Sequence, residues 1–282
     1  MKIKPLLLVL LMPAVFLFGC GVEEEEGIYY RDGVAVLMYH HLDEEESPST
    51  ISPARFAAQM EMLEKEGFNV ISLAELGAFL SSGGEVPPNA VVITFDDGYA
   101  SVYHHAFPVL REKRIPAAVF MIVSRVGNTE NEIPKLTWAM MEEMQASGIS
   151  IQSHTYDSHH YVAVNEKGDE KPALAARLYD PATGRRETEQ ERKDRIFQDL
   201  LQSKNILENQ LGSPVEYLAV PYGWFDELVV ETAREAGFCY LLTIKSGINT
   251  RKTDPFHIYR INAGSPKISP EDLKKAILKA AS

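Results

Sequence analysis

Two short segments of the chain carry acidic and histidine side chains at spacings suited to metal chemistry. Asp96 and Asp97 directly follow the apolar run 90–95, and the sequence Ser-His-Thr-Tyr-Asp-Ser-His-His occupies residues 153–160. One carboxylate and two imidazoles form the ligand set of a catalytic divalent metal that keeps open coordination positions. The second carboxylate of the Asp pair is then free to move protons. Together these segments indicate a metal-dependent hydrolase.

Each segment also has an ordinary structural explanation. The pair Asp97-Gly98 favours a turn after a strand, and a lone histidine is often a hydrogen-bonded core residue. A glycoside hydrolase would also place paired acids on a barrel, but such enzymes generally need two carboxylates flanking the bond and no metal. The occurrence of the acidic pair and the histidine segment in one chain favours the metal site.

Short apolar runs alternate with helical patterns, which is typical of a parallel sheet or barrel with helices outside. Side chains at the ends of barrel strands converge on one face, where active sites lie. We therefore predict an α/β fold, a distorted or incomplete (β/α) barrel, and favour it over a doubly wound sheet. The polar or turn-forming residues that follow predicted strands are His40, Asp96, Asp97, His154, Pro221 and Tyr222.

Residues 168–189 are rich in charge, Pro and Gly, and they predict an inserted loop beside the histidine segment. We favour a solvated excursion over a lid that covers substrate. With only two cysteines no intramolecular disulfide is expected, and Cys239 is predicted to be a buried core residue. The predicted strands are 34–39, 69–71, 90–95, 117–122, 149–152, 217–220 and 239–244, and the predicted helices are 52–67, one from 72, 100–114, 138–147, 189–211, 225–236 and 270–281.

The first twenty residues combine a positive start, a short apolar stretch and a closing Gly19-Cys20 pair. This pattern predicts a secretory signal rather than a spanning helix. The cysteine after Gly19 resembles the bacterial lipoprotein signal, in which cleavage before Cys20 is coupled to acylation of its thiol; an ordinary signal or an uncleaved anchor is the alternative. We expect a protein held on the outer side of the cell membrane by lipidated Cys20. The predicted division is a signal peptide 1–19, an acidic tether 20–32 and a catalytic domain 33–282.

The chain is acidic, with a formal net charge of −12 at pH 7. Such a surface argues against nucleic acid and polyanionic substrates, and it is compatible with neutral or weakly cationic sugars. We therefore expect no nucleic-acid partner, and we expect a monomer.

Three motifs together resemble the polysaccharide deacetylase family, carbohydrate esterase family four. They are Thr-Phe-Asp-Asp-Gly-Tyr at 94–99, His154-Thr155, and Val-Pro-Tyr-Gly at 220–223. The resemblance extends over nearly the whole chain from residue 33. It implies an enzyme that binds one divalent metal ion and hydrolyses the N-acetyl groups of a sugar polymer. Zn²⁺ is the first choice for that ion, and Co²⁺, Ni²⁺ and Fe²⁺ are the alternatives.

Two details resemble one branch of the family, the poly-β-1,6-N-acetyl-D-glucosamine N-deacetylases of biofilm exopolysaccharide. Most family members separate the metal histidines by four residues, but position 158 is Ser here, and the branch spacing of five selects His154 and His159. That branch also begins with a Tyr-His segment, which Tyr39-His40 matches. The resemblance implies an extracellular poly-β-1,6-N-acetyl-D-glucosamine as substrate and acetate as product. A peptidoglycan or chitin N-deacetylase and a non-catalytic polysaccharide-binding lipoprotein are the alternatives.

The resemblance implies that Asp97, His154 and His159 bind the metal, with the adjacent His160 as the less favoured alternative to His159. Two histidines five residues apart do not share one face of a helix, so this segment is predicted to be a loop bent around the ion.

The resemblance also assigns the proton-transfer groups. Asp96 corresponds to the general base and His40 to the general acid, with His41 and His257 as alternatives for the acid. Many members carry an Arg two residues before the Pro-Tyr-Gly motif to orient the base, but this position is Ala219 here. Arg260 is our candidate to replace it. The substrate and oxyanion site is assigned to Pro221, Tyr222 and Gly223.

Overall fold

The computed structural model describes residues 27–130 and 132–282. The predicted signal peptide 1–19, Cys20 and most of the acidic tether lie outside the described residues. No helix in the described part of the chain is both long and apolar enough to cross a membrane.

The last residues of the predicted tether pack onto the domain. The rings of Tyr29 and Tyr30 lie against Phe68, and the Tyr30 hydroxyl donates to the carbonyl of Ala90 at 2.8 Å. Tyr30 is buried. The folded part of the chain therefore includes these two tyrosines.

A parallel sheet curled into a half-barrel forms the centre of the fold, as predicted. Among the described residues its strand order is β7-β6-β5-β4-β3-β1-β8, with β2 beside the first half of β3. All its strand pairs run parallel, so their carboxyl ends meet at one rim. The strands are β1 (Val34–Tyr39), β2 (Asn69–Val70), β3 (Ala90–Phe95), β4 (Ala117–Met121), β5 (Ile149–Ser153), β6 (Tyr217–Ala219), β7 (Tyr240–Leu242) and β8 (Ile261–Asn262).

The central strands are buried on both faces, which explains why their sequences are continuous apolar runs. Every residue of β1 and β3 is buried, and the two strands pair along their full length, from Val34 with Ala90 to Tyr39 with Phe95. Alternate side chains enter two cores: one contacts the surrounding helices, and the other fills the inner face of the sheet.

The helices begin where the sequence supplies caps. The Ser72 and Glu75 side chains form the predicted capping box, and Thr188 forms another with Glu191. The helices are α1 (Pro53–Lys65), α2 (Leu73–Ser81), α3 (Phe107–Lys113), α4 (Trp138–Ala146), α5 (Glu189–Leu211), α6 (Glu227–Glu235) and α7 (Pro270–Ala281).

Two local predictions differ from the structure, and one short strand was not predicted. The predicted helix 100–114 begins as a π-helical segment, Val102–Ala106, before α3 continues it. Cys239 is exposed, so its predicted burial is wrong; it precedes β7, and its neighbour Phe238 takes the core position instead. The two-residue strand β8 was not predicted, since so short a run carries no periodic signal.

The predicted inserted loop is folded onto the domain rather than being a solvated excursion. It carries two small antiparallel hairpins, in which 161–163 pairs with 170–172 and 179–180 with 185–186. Two arginines of α5 anchor it. Arg192 donates to the Leu174 carbonyl at 2.7 Å and forms a paired salt bridge with Asp226, and Arg195 donates to both Glu187 oxygens at 2.8 and 3.0 Å.

Candidate metal centre and active site

Three predicted ligands meet at the carboxyl rim of the sheet. Asp97 follows β3, and His154 follows β5, so the parallel topology places both at the same edge. The Oδ1 atom of Asp97 lies 3.4 Å from Nε2 of His154 and 3.2 Å from Nε2 of His159. One ligand atom from each residue lies within 4.8 Å of the other two. The exposed His160 instead contacts the carbonyl of Asp157 at 2.8 Å.

The chemistry of these atoms fits a divalent cation. Asp97 Oδ1 is buried and has no hydrogen-bond partner among the described residues, an arrangement that is costly unless a cation compensates it. His154 Nδ1 lies 2.7 Å from the carbonyl oxygen of Ala219. A carbonyl can only accept, so Nδ1 carries a hydrogen, and Nε2 is the nitrogen directed at the site.

The protonation of the other two ligands agrees with this fit. Burial and the charge of His154 lower the pKa of His159 to about 4, so its ring is neutral at pH 7 and has a lone pair to offer. Burial raises the pKa of Asp97, but its contacts with His154 and His159 outweigh burial and hold that pKa well below the usual range. Burial lowers the pKa of His154, but its contacts with Asp96 and Asp97 outweigh burial and raise that pKa, so a cation that binds here displaces the proton on Nε2. With that proton displaced, two imidazoles and a carboxylate suit Zn²⁺ and its neighbours in the first transition series.

The histidine segment is a loop, as the spacing of five predicted. Asp199 on α5 holds it in place, which the sequence analysis missed. The Asp199 carboxylate accepts from the backbone N–H of Tyr156 at 2.8 Å, from that of Asp157 at 3.0 Å and from the Ser158 hydroxyl at 2.8 Å. These donors lie between the two histidines predicted to bind the metal. An acid on a long charged helix carries no sequence signal that separates it from its exposed neighbours.

Replacing Asp199 with alanine is expected to weaken metal binding about 10-fold to 100-fold, the usual effect of losing a group that orients a ligand. The two backbone N–H groups would lose their acceptor, and His159 would lose its fixed position. Asp194→Ala is the matched control, because this acid is exposed on the same helix. Metal affinity of both variants, measured by competition with a chelating dye, tests the expectation. Equal affinities in Asp199→Ala and wild type would contradict it.

The backbone is strained where the site residues lie. Asp97, Thr155 and Tyr222 have positive φ angles of 68°, 76° and 58°, which are uncommon outside glycine. Gly98 also has a positive φ of 63°, and a Cβ there would overlap the sulfur of Met121. This geometry explains why a glycine must follow the acidic pair.

Asp96 is held by Arg260, the residue proposed from sequence to replace the missing arginine at position 219. The guanidinium donates to both carboxylate oxygens, at 2.7 and 2.8 Å, and its Nε donates to the Thr243 carbonyl at 2.8 Å. Asp96 is 2% exposed and Arg260 1% exposed. Burial raises the pKa of Asp96, but the adjacent guanidinium outweighs burial and keeps the carboxylate ionised.

The three histidines considered as general acid occupy different places. His40 lies close enough to Asp96 and Asp97 for its charge to lower the pKa of both, and its buried Nδ1 has no hydrogen-bond partner among the described residues. His41 Nδ1 instead contacts the Ser101 hydroxyl at 2.7 Å. His257 pairs with Asp254 at 2.9 Å and packs on Phe225.

The Pro-Tyr-Gly motif forms a tight turn, Pro221–Gly223, beside the metal ligands. The Tyr222 ring lies 4.5 Å from that of His159 and 4.8 Å from that of Tyr161, measured between ring centroids. Gly223 has a φ of 67°, and a Cβ there would overlap the side chain of Ile244. Trp224 follows with 57% of its surface exposed. The turn therefore presents aromatic side chains next to the site.

Comparison with solved structures supports the architecture. A de-N-acetylase from Aggregatibacter actinomycetemcomitans superimposes with a TM-score of 0.76 at 26% identity, covering 87% of this chain and 100% of that one. IcaB from Ammonifex degensii superimposes with a TM-score of 0.73 at 28% identity, covering 89% of this chain and 98% of that one.

Sequence comparison gives the family. The poly-β-1,6-N-acetyl-D-glucosamine N-deacetylase of Escherichia coli K12 is 26% identical over 233 residues, which are 77% of this chain and 35% of that protein. The chain thus spans about a third of the length of this curated relative. The model of the polysaccharide deacetylase family matches residues 83–241, more than half of the sequence. With the motifs and the fold in agreement, the chain belongs to the polysaccharide deacetylase family.

Proposed function

We propose that this protein is a metal-dependent enzyme that removes N-acetyl groups from an extracellular poly-β-1,6-N-acetyl-D-glucosamine and releases acetate. The observation that carries the proposal is the meeting of Asp97, His154 and His159 at one rim of a polysaccharide deacetylase fold. The relative in Escherichia coli named for this activity supports the choice of polymer. The spacing of five between the two histidines supports it as well.

Asp97, His154 and His159 would hold the metal ion. When bound, a divalent cation supplies charge that lowers the pKa of water from about 15.7 toward about 7 and polarises a carbonyl. Asp96 accepts the proton of the attacking water, and Arg260 fixes both carboxylate oxygens so that this base stays ionised and aimed.

Two further groups complete the proposed chemistry. The attack produces a tetrahedral oxyanion, and the backbone N–H of Tyr222 is the donor we assign to it. His40 gives a proton to the departing amine, because an amide anion is too basic to leave unaided. The products are acetate and a free amine on the polymer.

Acetate release from β-1,6-linked and β-1,4-linked N-acetylglucosamine oligomers of equal length tests the proposal. We expect kcat/KM to be at least about tenfold higher for the β-1,6 series, a difference of about 1.4 kcal/mol in transition-state binding. Asp96→Asn serves as the inactive control. Release confined to β-1,4 oligomers would contradict the assigned polymer and favour a chitin or peptidoglycan deacetylase. No release from any oligomer would contradict deacetylation and favour a binding lipoprotein.

We further propose Zn²⁺ as the bound ion, a monomeric protein and a lipid anchor at Cys20 that holds the domain outside the cytoplasm. The Gly19-Cys20 pair after a short apolar stretch supports the anchor. Elemental analysis of purified protein and the mass of the N-terminal peptide test these points. An intact segment 1–19 on the mature protein would contradict the anchor.

A further inference from the structure

A cavity of about 290 Å³, with both charged and apolar walls, opens beside the predicted metal ligands. Its volume equals that of roughly ten water molecules at about 30 Å³ each, which exceeds the space an acetyl group needs and approaches that of a sugar unit. Two isoleucines give it apolar walls, as a sugar ring requires. The lining residues are Asp97, Tyr99, Ile122, Arg125, Glu132, Ile133, Lys135 and His159.

Lys135 is the unusual member of this lining. It is only 4% exposed, yet its ammonium makes no hydrogen bond or ion pair with any residue in the described part of the chain. Its nitrogen lies 3.6 Å from the centroid of the Tyr99 ring, a cation–π contact that leaves its N–H donors without acceptors. Lysine side chains are rarely this buried, because a charge is costly to remove from water. The nitrogen itself is not one of the fully enclosed polar atoms without a partner, so it keeps access to the cavity. The cavity therefore holds a cation with unused donors.

The other charged side chains around the cavity already have partners of opposite charge or lie against the predicted metal ligands. Arg125 forms a salt bridge with Glu132 at 2.7 Å, and Asn128 donates to the second oxygen of the same carboxylate. Asp97 is directed at His154 and His159, and under the proposed function it neutralises part of the metal charge. Burial lowers the pKa of Lys135, and the charges of Asp97 and Glu132 oppose that change. Apart from the charge left on the proposed metal ion, Lys135 is thus the positive charge of the lining that no carboxylate of the described residues pairs with.

We propose that this cavity binds the sugar unit next to the reacting one, and that Lys135 restricts it to an uncharged, N-acetylated unit. The inference rests on the proposed function and deepens it. The hydroxyl and amide oxygens of N-acetylglucosamine accept hydrogen bonds from the ammonium of Lys135. A glucosamine unit instead presents a protonated amine near neutral pH, and the like charge repels it. The enzyme therefore disfavours positions whose neighbour has already been deacetylated, and it spaces free amines along the polymer.

Defined β-1,6 oligomers at pH 6.5 test the inference. One series is fully acetylated, and the others carry a single free amine on one side or the other of an acetylated unit. We expect wild type to show kcat/KM about tenfold higher for the fully acetylated series than for one of the amine isomers, which lies between the effects of like charges about 4 Å apart in bulk water and near a protein surface. Lys135→Met should lose most of this preference, and Lys135→Arg should keep it.

Lys113→Met is the matched control, because Lys113 lies at the end of α3, just before β4 begins, and pairs with Glu64. Its preference should equal that of wild type. A wild-type enzyme without preference, or the same preference in Lys135→Met, would overturn the inference while leaving deacetylation in place. If Lys135→Met fails to fold, Lys135→Gln replaces it in the comparison. The same preference in Lys135→Gln as in wild type would then overturn the inference. Absence of acetate release from every oligomer would contradict the proposed function and this inference together.

Discussion

His159→Ala is expected to abolish metal binding and reduce acetate release about 10³-fold, whereas the adjacent His160→Ala should change neither. The Nε2 atom of His159 lies 3.2 Å from Asp97 Oδ1 within the group of predicted metal ligands, and the exposed His160 contacts a backbone carbonyl. Removing one of three protein ligands leaves a carboxylate and one imidazole, which hold a catalytic ion poorly. The activity lost corresponds to the several kcal/mol of charge stabilisation that a metal supplies.

Metal content after dialysis and acetate release, measured on the same samples, test this expectation. Treating the wild type with a chelator should lower its acetate release to the level of His159→Ala. Adding Zn²⁺ should then restore acetate release in the wild type but not in His159→Ala. Two outcomes would count against the assignment: full metal content in His159→Ala, or a loss of metal in His160→Ala. Acetate release that survives complete removal of metal would contradict a metal-dependent mechanism.

Asp96→Asn is expected to lower kcat about 10²-fold to 10⁴-fold, the usual contribution of a positioned general base. Metal binding should persist, because Asp97 and the two histidines are unchanged. The substitution also leaves the Arg260 guanidinium buried without its charged partner, and breaking such a pair costs about 3–5 kcal/mol of unfolding free energy. Kinetics and thermal unfolding of the metal-loaded variant measure the two effects separately.

The double variant Asp96→Asn with Arg260→Met separates the catalytic loss from the structural one. Removing the unpaired guanidinium should recover much of the unfolding free energy, while activity stays as low as in Asp96→Asn. An Asp96→Asn variant with the unfolding free energy of wild type would show that the Asp96–Arg260 pair contributes less to stability than its burial indicates. Wild-type kcat in either variant would show that Asp96 is not the base.

The pH dependence of stability follows from the same pair. Arg260 depresses the pKa of folded Asp96 below that of the unfolded chain, about 3.9. A carboxyl group whose pKa is lower in the folded state than in the unfolded chain stabilises the fold fully at pH values above its pKa in the unfolded chain. That contribution is lost as the pH falls through the pKa of the folded state. The difference in unfolding free energy between wild type and Asp96→Asn should therefore be constant near neutral pH and shrink below about pH 4.

Local patterns in the sequence were enough to predict much of the secondary structure of this protein. The apolar runs 34–39 and 90–95 predicted two strands with their observed bounds, and Ser72 with Glu75 predicted a capping box that the structure contains. The residues of the candidate metal centre could also be found from the sequence, because each lies just after a strand or in one short loop. Hydrophobic period, capping and turn chemistry act over a few residues, so a single sequence displays them.

The sequence offered Arg260 as a candidate partner of Asp96, but only the tertiary structure showed that contact and the roles of Asp199 and Lys135. Arg260 lies 164 positions from Asp96, Asp199 lies some forty positions from the loop it holds, and Lys135 enters a cavity whose walls come from three segments. A charged residue on a helix or loop has no local pattern that reveals its partner. The parallel strands bring Asp96, Asp97 and His154 to one rim of the sheet, and the fold then packs a residue before β8, a residue of α5 and a loop residue against that rim.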